Sequence, residues 1–335
     1  MKRFLSLLLS LLLLFSLCAC GFTAPVEQAG QTFTDDLGRQ VILPEQIDKV
    51  AVSGTMAQIV VFALCPEKMV GVAAPIPLPG YEDLPTLGQL YGGKGELNLE
   101  TLLQSGAQVI IDVGEQKDSM AEELDALQEE TGIPFVHIDA SLATYAQAFR
   151  TLGAMLGLSE QAEPLANYCE SAYDTACALA SSVEKVSAVY VTGDAGQNVI
   201  AKGSFQGEVM DLLVDNAAVV DSPSAKGTGN EVSMEQLMLW DPEVLIFSPD
   251  SVYEQVADDP VWQTLTAVQS GRYYEAPSLP YNWMGFPPGV QRCLGLLWLG
   301  KVLYPENADY DLSAKAAEFY ELFYHCRVTS INFPF

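Results

Sequence analysis

The chain has 335 residues, with 16 Lys and Arg against 43 Asp and Glu and a formal net charge of −27. It is 49% hydrophobic and only 18% charged, which excludes a disordered polymer because the apolar content is ample for a packed core. The acid excess also excludes nucleic acid as the natural partner, since phosphate backbones are held by clustered Lys and Arg.

Lys2 and Arg3 precede an apolar stretch from Leu5 to Leu17 that only serines interrupt. It is too short for a comfortable membrane span and reads as a secretion signal. The following Leu17-Cys18-Ala19-Cys20 resembles a bacterial lipobox. The resemblance implies cleavage before Cys20, a diacylglyceryl thioether on that residue and an anchor on the outer face of the membrane. An ordinary cleaved signal that leaves Cys20 free is the plainer alternative. Residues 1–19 are thus the signal peptide, and the small, polar, aperiodic residues 20–31 a tether. Cys65, Cys169, Cys177, Cys293 and Cys326 remain, an odd number at wide spacings, which fits neither a disulfide scaffold nor a zinc ribbon. Cys169 and Cys177 share a predicted helix and stand about 12 Å apart along it, too far for a bridge. A Cys293–Cys326 pair stays open, beside the simpler reading of buried free thiols.

From Phe33 to Pro44, two short β-prone runs flank a polar turn and predict a hairpin. Lys49–Val52 predicts a strand, Ser53-Gly54-Thr55 a turn and Met56–Leu64 a helix, the opening of an α/β unit. Val70–Ala73 predicts a strand, Leu97–Ser105 a helix, Val109–Val113 a strand buried on both faces, Met120–Thr131 a helix and Phe135–Ile138 a strand. These make a first lobe over 32–140. Residues 141–184 carry helices only. Leu142–Leu156 stops at Gly157, and Ser159 caps a helix of roughly 23 residues to Ser182, about 35 Å long. Its apolar stripe is Ala162, Leu165, Ala166, Cys169, Ala172, Tyr173, Ala176 and Leu179. A second α/β lobe over 185–335 has strands at Ser187–Val191, Val244–Phe247 and Arg272–Glu275. Its helices are predicted at Phe205–Val214, Val232–Trp240, Val261–Val268 and within 287–325. The expected fold class is therefore α/β: two Rossmann-like lobes joined by a single long α-helix, with a cleft between them.

Several ordered motifs carry a family resemblance over nearly the whole mature chain. They are Thr34-Asp35-Asp36-Leu37-Gly38-Arg39, Asn98-Leu99-Glu100, Val232 to Leu237, Trp240-Asp241-Pro242-Glu243, Asp259-Pro260-Val261-Trp262 and Gly271-Arg272-Tyr273-Tyr274. The sequence is similar to the helical-backbone (class III) substrate-binding lipoproteins of ABC importers, the family that carries ferric siderophores, cobalamin and haem. The resemblance implies partnership with a permease and its ATPase, a small-molecule cargo, no enzymatic chemistry and no resident cofactor. It also implies a monomer outside the cytoplasm, lipid-anchored or periplasmic. Glu100 and Glu235, in matching places of the two lobes, become the acids that meet arginines of the permease. Without the resemblance they are ordinary carboxylates near a helix start.

Ligands of parallel α/β sheets lie beyond the carboxyl ends of the strands. That rule points to Ser53 and Thr55, to 75–91 with Tyr91, to Glu115 and Lys117, to 192–205 with Lys202 and Phe205, to 248–253, and to 278–286. Tyr281, Trp283 and Met284 suit a large, greasy chelate, or simply pack the lobe. Arg292, one turn into the helix after Pro287-Pro288, could reach an anion or pair with a surface acid. Lys94, Lys117, Lys202, Lys226 and Arg292 are the plausible cleft bases. Gly92-Gly93-Lys94-Gly95 lacks phosphate-loop spacing and reads as a turn. His137 and His325 are the only histidines, too few and too distant for a zinc or manganese site.

The first expectation is a receptor for a metal chelate, a ferric siderophore by the family's commonest cargo. Cobalamin, haem or a molybdate-type oxyanion are alternatives in the same class. A distant alternative is an extracellular hydrolase using Ser204, although the glycines around it do not fit a nucleophile elbow.

Overall fold

The computed structural model describes residues 30–78, 81–91, 95–285 and 287–327. The signal peptide, Cys20 and most of the tether lie outside these residues, as do Lys94 and Phe286. In chain order the first lobe contains β1 (Gly30–Thr34), β2 (Gln40–Pro44), β3 (Val50–Val52), α1 (Thr55–Leu64), α2 (Leu99–Ser105), β4 (Val109–Gly114), α3 (Met120–Thr131) and β5 (Phe135–Asp139). Helices α4 (Tyr145–Leu156) and α5 (Ser159–Ser182) follow. The second lobe runs through β6 (Ser187–Thr192), β7 (Asn198–Val199), α6 (Glu208–Leu213), β8 (Asp215–Asn216), β9 (Asn230–Glu231), α7 (Met234–Trp240), β10 (Val244–Phe247), α8 (Tyr253–Val256), α9 (Thr266–Gln269) and β11 (Tyr273–Glu275). It ends with α10 (Arg292–Leu303) and α11 (Leu312–Phe323).

The first lobe holds a parallel sheet of order β3-β4-β5, with the β1–β2 hairpin beside it. Asp35 clasps this hairpin turn, accepting from the amides of Leu37 and Arg39 and pairing with the Arg39 guanidinium at 3.1 Å. The second sheet has the order β11-β10-β6-β7-β9, with β8 also on β6. Strands β11, β10, β6 and β8 are parallel, while β7 and β9 add antiparallel.

Period-two alternation sorts each sheet into two faces. Val50, Val52, Val109, Ile111, Val136 and Ile138 enter the central core, as do Ala188, Tyr190, Val244 and Ile246 of the second sheet. Ala51, Ile110 and Phe135 turn outward to α2 and α3, and Val189, Val191, Leu245 and Phe247 turn outward in the second lobe. One continuous apolar core therefore runs through both lobes by way of α1, α4, α5, α10 and α11.

The linking helix α5 has 24 residues, and its buried stripe is the predicted one except that Tyr168 is buried and Tyr173 only half-buried. Leu158, not Ser159, is its cap residue. A methyl group on Gly153 of α4 would stand 2.4 Å from the Ala162 Cβ, so this glycine permits the close approach of α4 to α5. Gly153→Leu should lower stability by about 1–3 kcal/mol through overpacking, read as an earlier urea midpoint.

The structure corrects several expected elements. Val70–Ala73 makes only one bridge, Val72 to Thr86, with Met69 just before it bridging Val50, because Pro75, Pro77 and Pro85 interrupt the backbone donors around it. Phe205–Val214 divides into a 3-10 turn over Phe205–Gly207 and the short α6. Residues 261–268 divide likewise into a 3-10 turn at Trp262–Thr264 and α9. The described cysteines are free: Cys326 donates to the Tyr320 carbonyl at 3.9 Å, while Cys293 lies beside Cys169 of α5.

Candidate functional site

Ser53, Thr55 and Glu115 follow the carboxyl ends of β3 and β4, and the 192–205 and 248–253 stretches follow those of β6 and β10. In the first lobe Ser53 is buried and fixed three ways. Its amide donates to the Ile111 carbonyl at 3.0 Å, its carbonyl accepts from Leu90 at 2.7 Å, and its hydroxyl donates to Asp112. Asp112 also meets His137 Nδ1 at 2.6 Å, and His137 is fully buried. Ser53 is therefore a scaffold residue that sets Gly54 and Thr55, the amino end of α1, against the 89–91 segment. Gly54 leaves this first turn without a side-chain cap, and the Thr55 hydroxyl reaches Gln89 Oε1 at 3.4 Å. Tyr91 is half-buried and donates to Glu123 at 2.8 Å, with the exposed Lys117 ammonium 4.8 Å from its ring centre. Burial first, and then the bond to Glu123, push the Tyr91 hydroxyl up.

In the second lobe the 277–291 segment crosses the ends of β6 and β10 and is tied there by amides. Asn282 donates to the Tyr190 hydroxyl at 2.9 Å and to Ser248 at 3.3 Å, and Gln291 donates to the Asn282 carbonyl at 3.2 Å. These ties turn Trp283 and Met284 into the core, each 1% exposed, with Trp283 Nε1 donating to the Leu279 carbonyl at 3.3 Å. The expected cleft surface for these two side chains is thus replaced by packing. Tyr281 stays half-buried beside Gln58 of α1.

Arg292 is the most unusual group. It is a fully buried cation at the start of α10. Its Nη1 donates to the Phe205 carbonyl at 2.6 Å and pairs with Glu208 Oε2 at 2.9 Å, and its guanidinium lies 4.5 Å from the Phe205 ring centre. Its Nε and Nη2 are buried and make no hydrogen bond among the described residues, while the guanidinium also acts on the Tyr145 hydroxyl, opposing the upward push of burial there. Phe205 and Glu208 form one wall of an interlobe cavity of about 430 Å³, which Glu115, Leu142, Ala143 and Tyr173 also line. Burial raises the Glu208 carboxyl, the Arg292 charge opposes that, and Glu115 adds to it.

Other candidates lie elsewhere. Lys202 is exposed and pairs with Asp215 at 3.0 Å, and Lys226 is exposed on the 220s loop. Ser204 caps the 3-10 turn, donating to the Ala201 carbonyl at 2.7 Å and accepting from Gly207 at 3.1 Å, so its hydroxyl is already engaged. His325 contacts the Phe62 carbonyl at 3.0 Å. Glu100 and Glu235 are both exposed and both second in a seven-residue helix, behind the capping side chains of Asn98 and Ser233. The sequence reading missed Glu208 and Asp112, and took Asn282 only as part of the 278–286 loop. An acid one helical turn after Phe205 was the available sign for Glu208.

Residues 50–279 match the family described as Periplasmic binding protein. The chain belongs to this family, the solute-binding components of ABC importers. A solved ABC transporter solute binding protein from Sulfurospirillum deleyianum is 28% identical, with 89% of this chain and 96% of that one covered at a TM-score of 0.81. A periplasmic solute binding protein from Veillonella parvula is 26% identical, covering 89% and 94% at a TM-score of 0.72. The molybdate-binding protein MolA of Haemophilus influenzae is 29% identical over 123 residues, 35% of this chain. That alignment spans 34% of the relative, about a third of its length. A solved MolA bound to molybdate shares the fold at 19% identity and a TM-score of 0.69, with 89% of this chain and 99% of that chain covered.

Proposed function

We propose that this periplasmic binding protein captures a small tetrahedral oxyanion of the molybdate class and delivers it to an ABC permease. The observation that carries the reading is the buried, unbonded edge of Arg292. Nη1 is committed to Phe205 and Glu208, whereas Nε and Nη2 are buried and have no partner among the described residues. The Nε–Nη2 edge is a rigid fork whose spacing matches two oxygens of one anion. Buried donors left unbonded cost free energy, which a bound anion would recover. The naming of MolA as a molybdate binder supports the same class. A ferric siderophore, cobalamin or haem would rest on large apolar surfaces, and Trp283 and Met284 are withdrawn into the core. Intrinsic fluorescence titration of the mature protein tests the choice. Molybdate and tungstate should give saturable changes, with ferric hydroxamates, ferric catecholates, cobalamin and haem giving none. The reverse pattern would refute the oxyanion.

The anchor and docking are part of the same proposal. Cys20 of the lipobox-like motif would carry the lipid and hold the receptor at the outer membrane face, as a monomer. The same proposal divides the chain into lobes 32–140 and 185–335, with 141–184 between. Glu100 and Glu235 would meet cationic residues of the permease, one per lobe. Each is followed within about one helical turn by an exposed apolar side chain, Leu103 at 53% and Leu239 at 78% exposure. The Glu100→Ala, Glu235→Ala double variant should keep its molybdate affinity and lose most uptake in cells. Unchanged uptake would refute this docking assignment.

A further inference from the structure

We infer that Glu208 is the resident counter-anion of Arg292 and that oxyanion binding there is coupled to protonation of Glu208. This rests on the oxyanion reading above and adds its regulation. Glu208 Oε2 lies 2.9 Å from Arg292 Nη1 and also accepts from the Leu142 amide, in the segment that follows β5, at 3.4 Å. One carboxylate oxygen therefore ties the second lobe to the segment between the lobes and neutralises the cation that would hold the ligand.

The charges around Glu208 are unbalanced. Arg292 faces it from α10 and is the only cation among the described groups that perturb it. Glu115 faces it from the loop after β4, Asp211 stands with it on α6 and along the cavity wall, and the hydroxyls of Tyr173 from α5 and Tyr145 from α4 sense its charge. A tetrahedral dianion on the Nε–Nη2 edge would add two negative charges across the same guanidinium. Like charges this close cannot all remain ionised, and the weakest acid takes a proton. Glu208 is suited to that role, since its carboxyl is already raised by burial and by Glu115. Protonated, it no longer opposes the anion's charge across the guanidinium.

The sign follows. In the free protein Glu208 titrates at its raised value, and with anion bound it titrates higher still. Affinity is constant below the free value, where Glu208 already holds its proton. It falls with rising pH between the two values, by up to about tenfold per pH unit, and is constant again above them.

The test is calorimetric titration of the mature protein with sodium molybdate, repeated with tungstate, from the ordinary carboxylate range at about pH 4.5 up to about pH 8, in buffers of different ionisation heat. The expected result is uptake of up to about one proton per anion, with affinity falling as pH rises. Glu208→Gln should abolish both the uptake and the pH dependence, and should bind more tightly than wild type at the alkaline end. Glu115→Gln supplies a second readout that does not alter the Arg292 pair, and it should shift the affinity profile to lower pH. Saturable molybdate binding by wild type with no proton uptake would overturn the role of Glu208 and leave the oxyanion reading standing. So would a profile that neither variant changes. Absence of any molybdate or tungstate binding by wild type would overturn the oxyanion reading and this coupling with it.

Discussion

Arg292→Leu should lower molybdate affinity by at least about a hundredfold, on the scale of ~1.5–3 kcal/mol for each of two charge-assisted bonds. The fold should survive the change. Arg292 is completely buried, and two of its nitrogens are unsatisfied among the described residues. Replacing a poorly compensated buried ion by an apolar side chain of similar reach is often neutral or stabilising. The partner left behind, Glu208, keeps 28% of its side chain exposed and can be hydrated. Arg292→Lys should also bind weakly, because an ammonium offers a point charge in place of a planar fork. Calorimetric titration measures both affinities, and circular dichroism checks the fold. Wild-type affinity in Arg292→Leu would remove this residue from the site.

Trp283→Ala should act on stability and leave ligand affinity near wild type in the protein that remains folded. The side chain is among the largest that are fully buried, and its loss should cost about 3–5 kcal/mol. A fall in Tm on the order of 10 °C follows for a chain of this size. The same region tolerates no added volume. A methyl group on Gly295 of α10 would stand 2.1 Å from the Trp283 carbonyl oxygen, a backbone atom that cannot swing aside. Gly295→Val should therefore destabilise at least as much as typical overpacking, about 1–3 kcal/mol. Thermal melts read both effects. A Trp283→Ala protein of normal Tm but weak binding would return this tryptophan to the ligand surface.

Trp283 also marks where the sequence stops being informative. An aromatic beside a methionine at a strand end suits a greasy ligand and a lobe core equally well. The choice is made by Asn282 and Gln291, whose amide bonds turn the segment inward. The Asn282 bond reaches Tyr190, 92 residues away, and leaves no periodic trace. The long elements were legible because burial repeats along them: the α5 stripe, the continuous apolar run of β4, and the glycines that end α3 and α4. Strands β7, β8 and β9 have two residues each, too few for any period; β7 and β8 exist because β6 offers them hydrogen bonds, and β9 because β7 does. Arg292 was recognisable as a base just inside a helix after two prolines. Its burial was not, and neither was its pairing with Glu208, which depends on the way α6 and α10 meet across the core.

Tungstate diffraction tests the central claim most directly, because the metal's anomalous signal locates one bound anion without ambiguity. In crystals of the mature protein grown with tungstate, a single strong peak should lie at the lobe junction. Its oxygens should be within hydrogen-bond distance of Arg292 Nε and Nη2. A tungstate peak elsewhere, with the Arg292–Glu208 pair undisturbed and the Nε–Nη2 edge still unbonded, would contradict the assignment.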